Sequence, residues 1–406
     1  MALGLGAGTL VGAVVGPDAA VLEPLGTLFI KLIRMIVVPL VASSLVMALA
    51  GLSGRQTFGR LGARAFGFIF VSLFVALLIG ITVGVVARPG GGLSESARAQ
   101  LLAGNEAPAI DPDAQRPSIV DTLLGVIPDN PVRAAVDGNV LQILFVSILF
   151  GLAASALPEE KRQPVVALAT SVAEALFKLT GWIMELAPFG IFGLMAAVVG
   201  RAGLSVLVGL SYYFAAVVVA LALHLVLVYG FVLKALARQR VAPFVEASKP
   251  PLLIAFATCS TAAALPVSMA SMQSVLGLPS RVVSFVLPLG AAIGRDGSAI
   301  YQALSVVFIA QVYGVTLGAV DLMTLIVTAM LSSLAVASVP AASFVNLAIL
   351  LTALGLPLEG AALVLGVERP LDMLRSSTNL IGHLVNASWV GAPSRGDGDL
   401  AALEDT

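Results

Sequence analysis

Residues 365–389 read LGVERPLDMLRSSTNLIGHLVNASW. Glu368, Asp372, Arg375, Ser376, Asn379 and His383 fall at offsets of 0, 4, 7, 8, 11 and 15, which is one face of a 3.6-residue helix. The other faces are mostly apolar, as in a helix that crosses a bilayer. A charge at mid-bilayer costs roughly 2.5–3.5 kcal/mol even on a lenient insertion scale. The stripe therefore faces a polar interior and not lipid. Two uses remain open: a binding site, or an ion-pair network that locks helices, since Asp372 and Arg375 stand three apart and can satisfy each other. Arg369 lies off the stripe.

Outward from this stretch the chain is apolar. Of 406 residues, 11% are charged and 59% hydrophobic, where a soluble domain carries about 25% charge. No soluble fold of this size hides so much apolar surface. A soluble enzyme, a nucleic-acid binder and a disordered chain are excluded. One cysteine rules out an internal disulfide framework, and two histidines, His224 and His383, rule out a multi-histidine site. No HExxH string occurs and no serine has a nearby paired base, which argues against an intramembrane enzyme.

A crossing helix needs about 20 mostly apolar residues. Spans are expected near 1–16, 27–52, 62–87, 138–157, 165–200, 204–236, 281–312 and 359–391. Two further apolar stretches, 250–279 and 322–358, have small or hydroxylated centres and a break where a turn would fall. Paired interrupted segments point to a transporter binding site; two ordinary Pro-kinked crossings are the alternative. Arg55, Arg60 and Arg64, then Lys161 and Arg162, then Lys234, Arg238, Arg240 and Lys249 lie in alternate loops. These loops would be cytoplasmic, with the N-terminus inside. The acidic loop 88–137 would lie outside.

A second polar cluster is GRDGS, Gly294 to Ser298, inside the seventh span. Glycines let the backbone unwind and expose carbonyls, as transporters do at cation sites. The alternative is a Gly-rich packing contact with an incidental ion pair. His224, alone in an apolar span, reads as a packing residue, and Cys259 as a small packing residue.

These segments resemble the dicarboxylate/amino acid:cation symporter family, the glutamate transporter family, over most of the chain. The resemblance rests on IKLIRMIVVPLVASSL (30–45), IPDNPVRAAVDGNVLQILFVSILFG (127–151), FATCSTAAALP (256–266), RDGSAIYQ (295–302), ASVPAAS (337–343) and LDMLRSSTNLIGH (371–383). It implies an all-α polytopic membrane protein with eight transmembrane helices, two re-entrant helical hairpins and an inverted repeat. It also implies a homotrimer and an elevator motion. Scaffold spans and the third span would occupy 1–88, an extracellular loop 89–137, scaffold spans four to six 138–247, the transport core 248–391 and a polar cytoplasmic tail 392–406.

The resemblance also implies roles. Asp372 would take a substrate amino group and Arg375 its distal carboxylate, with Ser376 and Asn379 beside them. Ser260 and Thr261 would meet the α-carboxylate at the first hairpin tip. Val339 and Pro340 would form the second tip, the gate. Asp296 matches the aspartate of the family's NMDGT motif. Departures fall on the cation sites: Gly294 and Arg295 replace that motif's asparagine and methionine, and His383 replaces an aspartate. Ala292 and Leu73 supply no hydroxyl where the family has one. Cys259 replaces an arginine or serine, and Ser338, Ala341 and Ser343 replace tip glycines.

The expected function is a secondary transporter of an acidic amino acid or C4-dicarboxylate in the cell (inner) membrane. Asp296, Arg295, Gly294, His383 and Glu368 are the candidate coupling residues, no cofactor is expected, and sodium or a proton is the coupling ion. The departures point to weak sodium dependence and a response to pH, with His383 as proton carrier or Arg295 as a fixed charge; sodium held by backbone carbonyls is the alternative. A sodium-coupled dicarboxylate symporter is the second reading, and an anion channel or receptor-like binding protein the non-transporter one.

Overall fold

The structure, a computed structural model, describes residues 2–50, 60–92, 126–335 and 342–392. The second hairpin tip, with Val339 and Pro340, lies outside the described residues, as do the tail and most of loop 89–137. Every regular element among the described residues is helical. The chain opens with α1 (Ala2–Val15), a 3-10 turn (Gly16–Leu22), α2 (Glu23–Ala50) and α3 (Arg60–Ala87). Next come α4 (Pro131–Val136), α5 (Val140–Ser155), α6 (Glu159–Glu185), α7 (Ala187–Ala202) and α8 (Ser205–Leu223). The second half comprises α9 (Val241–Thr258), α10 (Leu265–Ser274), α11 (Ser280–Ile293), α12 (Asp296–Val312), α13 (Ala319–Ala335), α14 (Ala342–Ala353), α15 (Ala361–Leu365) and α16 (Glu368–Val390).

Among the described residues, four stretches are long and apolar enough to cross a membrane by length and composition: Leu3–Phe29, Leu61–Gly91, Glu159–Ile183 and Val208–Leu236. Gln142–Ser155, Ala187–Arg201 and Ala319–Ser333 are shorter apolar helices. The expected fifth span, 165–200, is two helices and not one. Pro188 sits in the first turn of α7, and its missing N–H breaks the ladder that would have joined α6 to α7. The last span is likewise preceded by a separate short helix, α15.

The seventh span is broken where the glycines predicted it. Gly294 is extended (φ −81°, ψ 105°) and Arg295 lies outside the helical region (φ −137°, ψ 41°), so these two residues separate α11 from α12. From Asp296 to Ala310 every residue of α12 is buried, which makes it the central rod. A Cβ on Gly297 would stand 2.7 Å from the Arg375 carbonyl oxygen, so α12 and α16 meet backbone to backbone. The N-terminal half uses the same device: a Cβ on Gly8 of α1 would stand 2.5 Å from the Phe192 carbonyl oxygen of α7. Small residues permit such approach where lipid supplies no hydrophobic drive.

Beyond Leu223, α8 continues into two π-helical turns, His224–Tyr229 and Val232–Leu236. Their i→i+5 bonds include Gly230 N–H to the Leu225 carbonyl and Ala237 N–H to that of Val232. One face of this segment exposes Val226, Leu227 and Phe231, while His224 and Tyr229 are buried. An apolar outer face over a polar inner one suits a bilayer and not water.

Candidate functional site

Arg375 is wholly buried at the centre of α16. Its Nη2 donates to Glu368 Oε1 at 2.7 Å and to Asp372 Oδ1 at 2.8 Å, and its guanidinium lies 3.9 Å from the centre of the Tyr301 ring. One side chain thus bridges two carboxylates and stacks on an aromatic face, a geometry that lysine cannot reproduce. Arg375 Nε has no partner among the described residues. The expected stripe is real: Glu368, Asp372, Arg375, Ser376, Asn379 and His383 are all buried, and Arg369 is exposed.

The turn between α9 and α10, where the first hairpin tip was expected, meets this centre. Helix α9 ends at Thr258, and Cys259, its C-cap, adopts a left-handed conformation (φ 53°, ψ 34°) close to Asp372. A non-glycine residue at positive φ is held there by its surroundings. Thr261 is buried and Ser260 half-buried; Ser260 Oγ accepts the Ala263 N–H at 3.3 Å and so caps its own turn. Arg295 is also buried, near enough to Asp372 for the two charges to interact.

A second centre surrounds Asp296, the first residue of α12. Its Oδ2 accepts from the Tyr229 hydroxyl at 2.7 Å, from His224 Nε2 at 3.2 Å and from the Ser72 hydroxyl. Tyr229 and His224 come from the π-helical turn, and Ser72 from α3. Asn379 ties the centres together: its Oδ1 accepts the Gly297 N–H at 2.8 Å and its Nδ2 donates to Ser298 Oγ at 3.2 Å. His383 Nε2 donates to the Gly294 carbonyl at 2.8 Å, its ring seated against Gly290 and Gly294.

Sequence reasoning missed three of these groups. His224 was expected to be packing and is a ligand of Asp296. Tyr229 carried no signal, because residues five apart on an α-helix point about 140° away from each other. Leu73 supplies no oxygen, as expected, but its neighbour Ser72 does. The string SLF at 72–74 shows that hydroxyl, and only the helix's rotation decides which residue points inward.

A buried polar centre, enclosed by apolar helices with apolar outer faces, defines a membrane carrier of polar solutes. Comparison then narrows the class: a family model described as the sodium:dicarboxylate symporter family matches residues 1–392, and the chain belongs to that family. It is 34% identical to the proton/sodium-glutamate symport protein of Bacillus subtilis (strain 168), over 96% of this chain and 91% of that one. It is 37% identical to the proton/glutamate-aspartate symporter of Escherichia coli (strain K12), over 91% and 85%. To the C4-dicarboxylate transport protein of Anaeromyxobacter sp. (strain K) it is 35% identical, over 97% and 88%. The protein is a multi-pass membrane transporter and not an enzyme.

The family name implies sodium, and the donors around Asp296 leave Oδ2 of that carboxylate no lone pair for it. A hard cation needs several free oxygen ligands. Asp296 Oδ2 already takes three donors, the Gly294 carbonyl takes His383, and Asn379 Oδ1 takes Gly297. The cavity that these residues border measures about 10 Å³, at the lower limit for one water.

Proposed function

We propose that the chain carries an acidic amino acid, aspartate or glutamate, across the inner membrane, with a C4-dicarboxylate as second substrate. One observation carries this reading: a buried carboxylate and a buried guanidinium, Asp372 and Arg375, share one helix face 2.8 Å apart. Asp372 suits an ammonium and Arg375 a distal carboxylate. Ser376 and Asn379 flank them, and the first tip, with Ser260 and Thr261, closes on the α-carboxylate. The second tip, Val339 and Pro340, is the outer gate. The names of the Bacillus and Escherichia relatives support acidic amino acids, and that of the Anaeromyxobacter relative supports the dicarboxylate.

Eight spans and two re-entrant hairpins, with the N-terminus cytoplasmic, are the proposed topology. Residues 248–391, with the third and sixth spans that hold Asp296 through Ser72, His224 and Tyr229, form the transport core, which moves as an elevator against a trimeric scaffold built from the rest of 1–88 and 138–247. The helix–turn–helix of α9 and α10 and the pairing of α13 with α14 support the two hairpins.

Coupling rests on pH more than sodium. A substrate carboxylate must win Arg375 from Glu368, and a buried carboxylate that loses its partner is destabilised by about 3–5 kcal/mol. A proton taken up by Glu368 removes that penalty, so substrate and proton travel together. His383 serves as a fixed donor to Gly294, and Arg295 as a fixed positive charge beside Asp372. Uptake of labelled aspartate, glutamate and succinate into proteoliposomes, under separate sodium and pH gradients, tests the reading. Aspartate accumulation driven by an acidic exterior supports it, and failure to exchange any of the three rejects it.

A further inference from the structure

We propose that Tyr229, His224 and Ser72 stand in for a coupling cation at Asp296 Oδ2, so that this oxygen takes no sodium and Tyr229 and His224 set the ion preference of the carrier. The inference deepens the proposed transport function and rests on it. Its support is the geometry of the π-helical turn. On a regular α-helix, His224 and Tyr229 would diverge by about 140°. The widened turn, closed by i→i+5 bonds, swings both toward one point. Their rings meet edge to face at 4.6 Å between centroids, and both donate to the same Asp296 oxygen.

The carboxylate fixes the proton of His224 on Nε2, since Oδ2 only accepts; Nδ1 has no partner among the described residues. Ser72 Oγ stands 3.4 Å from the same Nε2 and donates to the same Oδ2. All three groups are buried. A carboxylate oxygen offers about two lone pairs, and three N–H and O–H groups crowd this one. A cation at Oδ2 would have to displace all of them and leave buried donors unsatisfied. Arg295, the preceding residue, places a fixed positive charge in the same helix break.

The test is the sodium dependence of aspartate binding to the purified protein, at constant pH and ionic strength, with choline replacing sodium. It is paired with thermal unfolding of the substrate-free protein in the two salts. The wild type should bind aspartate within about twofold in either salt and melt at the same temperature. Tyr229→Phe, and Tyr229→Phe combined with His224→Leu, open the carboxylate. They should bind aspartate about tenfold tighter in sodium than in choline and melt higher in sodium, as linkage requires. A wild type that needs sodium to bind overturns the proposal, as does a folded variant indifferent to sodium in both measurements. If either variant fails to fold, the wild-type comparison decides alone. Absence of binding to aspartate, glutamate and succinate in every salt would reject the transport reading, and the substrate-free melts would still judge the cap.

Discussion

Asn379 of α16 accepts the backbone N–H of Gly297 at 2.8 Å, in the first turn of α12 just past the break that separates it from α11. One amide thus holds the start of the central rod against the helix that carries Asp372 and Arg375. Asn379→Ala would strand a buried N–H, a loss of about 1–3 kcal/mol. The expected result is a lower melting temperature together with weaker substrate binding. A variant that melts and binds as the wild type does would show the clamp to be idle.

Arg375→Ala should weaken binding of aspartate far more than binding of alanine, because only aspartate brings a distal carboxylate to the guanidinium. The loss for aspartate should reach about a hundredfold or more, in keeping with the removal of one partner from a buried pair. Arg375→Lys should recover little, since an ammonium cannot reproduce the bridge and the stacking on Tyr301. Calorimetric titration of both ligands checks this, and equal losses would remove Arg375 from the carboxylate site.

Asp372→Asn should abolish binding of aspartate and glutamate and spare succinate, which carries no ammonium. Counterflow of each labelled substrate is the measurement. Normal aspartate counterflow in this variant would show that the carboxylate is not the ammonium's partner.

The gate is tested by Val339→Cys in a Cys259→Ser background. Serine differs from Cys259 by one atom and is close to it in size, so the turn after α9 keeps its shape. Aspartate should slow reaction of the new thiol with a membrane-impermeant maleimide. A rate unchanged by every transported substrate would count against gating by the second tip.

Glu368→Gln should uncouple the carrier. The amide imitates a protonated acid, so exchange of aspartate should persist while accumulation driven by an acidic exterior disappears. His383→Gln keeps a donor for the Gly294 carbonyl and should leave that accumulation in place. Loss of the pH response in the histidine variant, with retention in Glu368→Gln, would transfer the proton to the imidazole.

The polar face of α16 was legible because a charge inside an apolar run has no neutral explanation: six side chains at helical spacing all proved buried. The break before Asp296 was legible for a related reason, since Gly294 and Gly297 bracket it. The cap on Asp296 was not. Reading Tyr229 and His224 as a pair requires knowing that α8 changes its hydrogen-bond register, and no residue between them announces that change. The split at Pro188 was visible in the sequence but was outweighed by apolar runs on both sides, interrupted only by the isolated charges Glu174, Lys178 and Glu185. Glu368 was placed among the coupling residues, though its contact with Arg375 follows from a separation of seven, two turns along one face.

The close contact between α1 and α7 bears on how the protein is made. Gly8 reaches its berth on Phe192 only after the ribosome has synthesised everything between them. At roughly 5–20 residues per second that wait lasts about ten to forty seconds. During it α1 lacks its α7 neighbour, and the notch at Gly8 stays unfilled. A bulky residue at Gly8 would leave the apolar character of α1 intact while the late docking step fails.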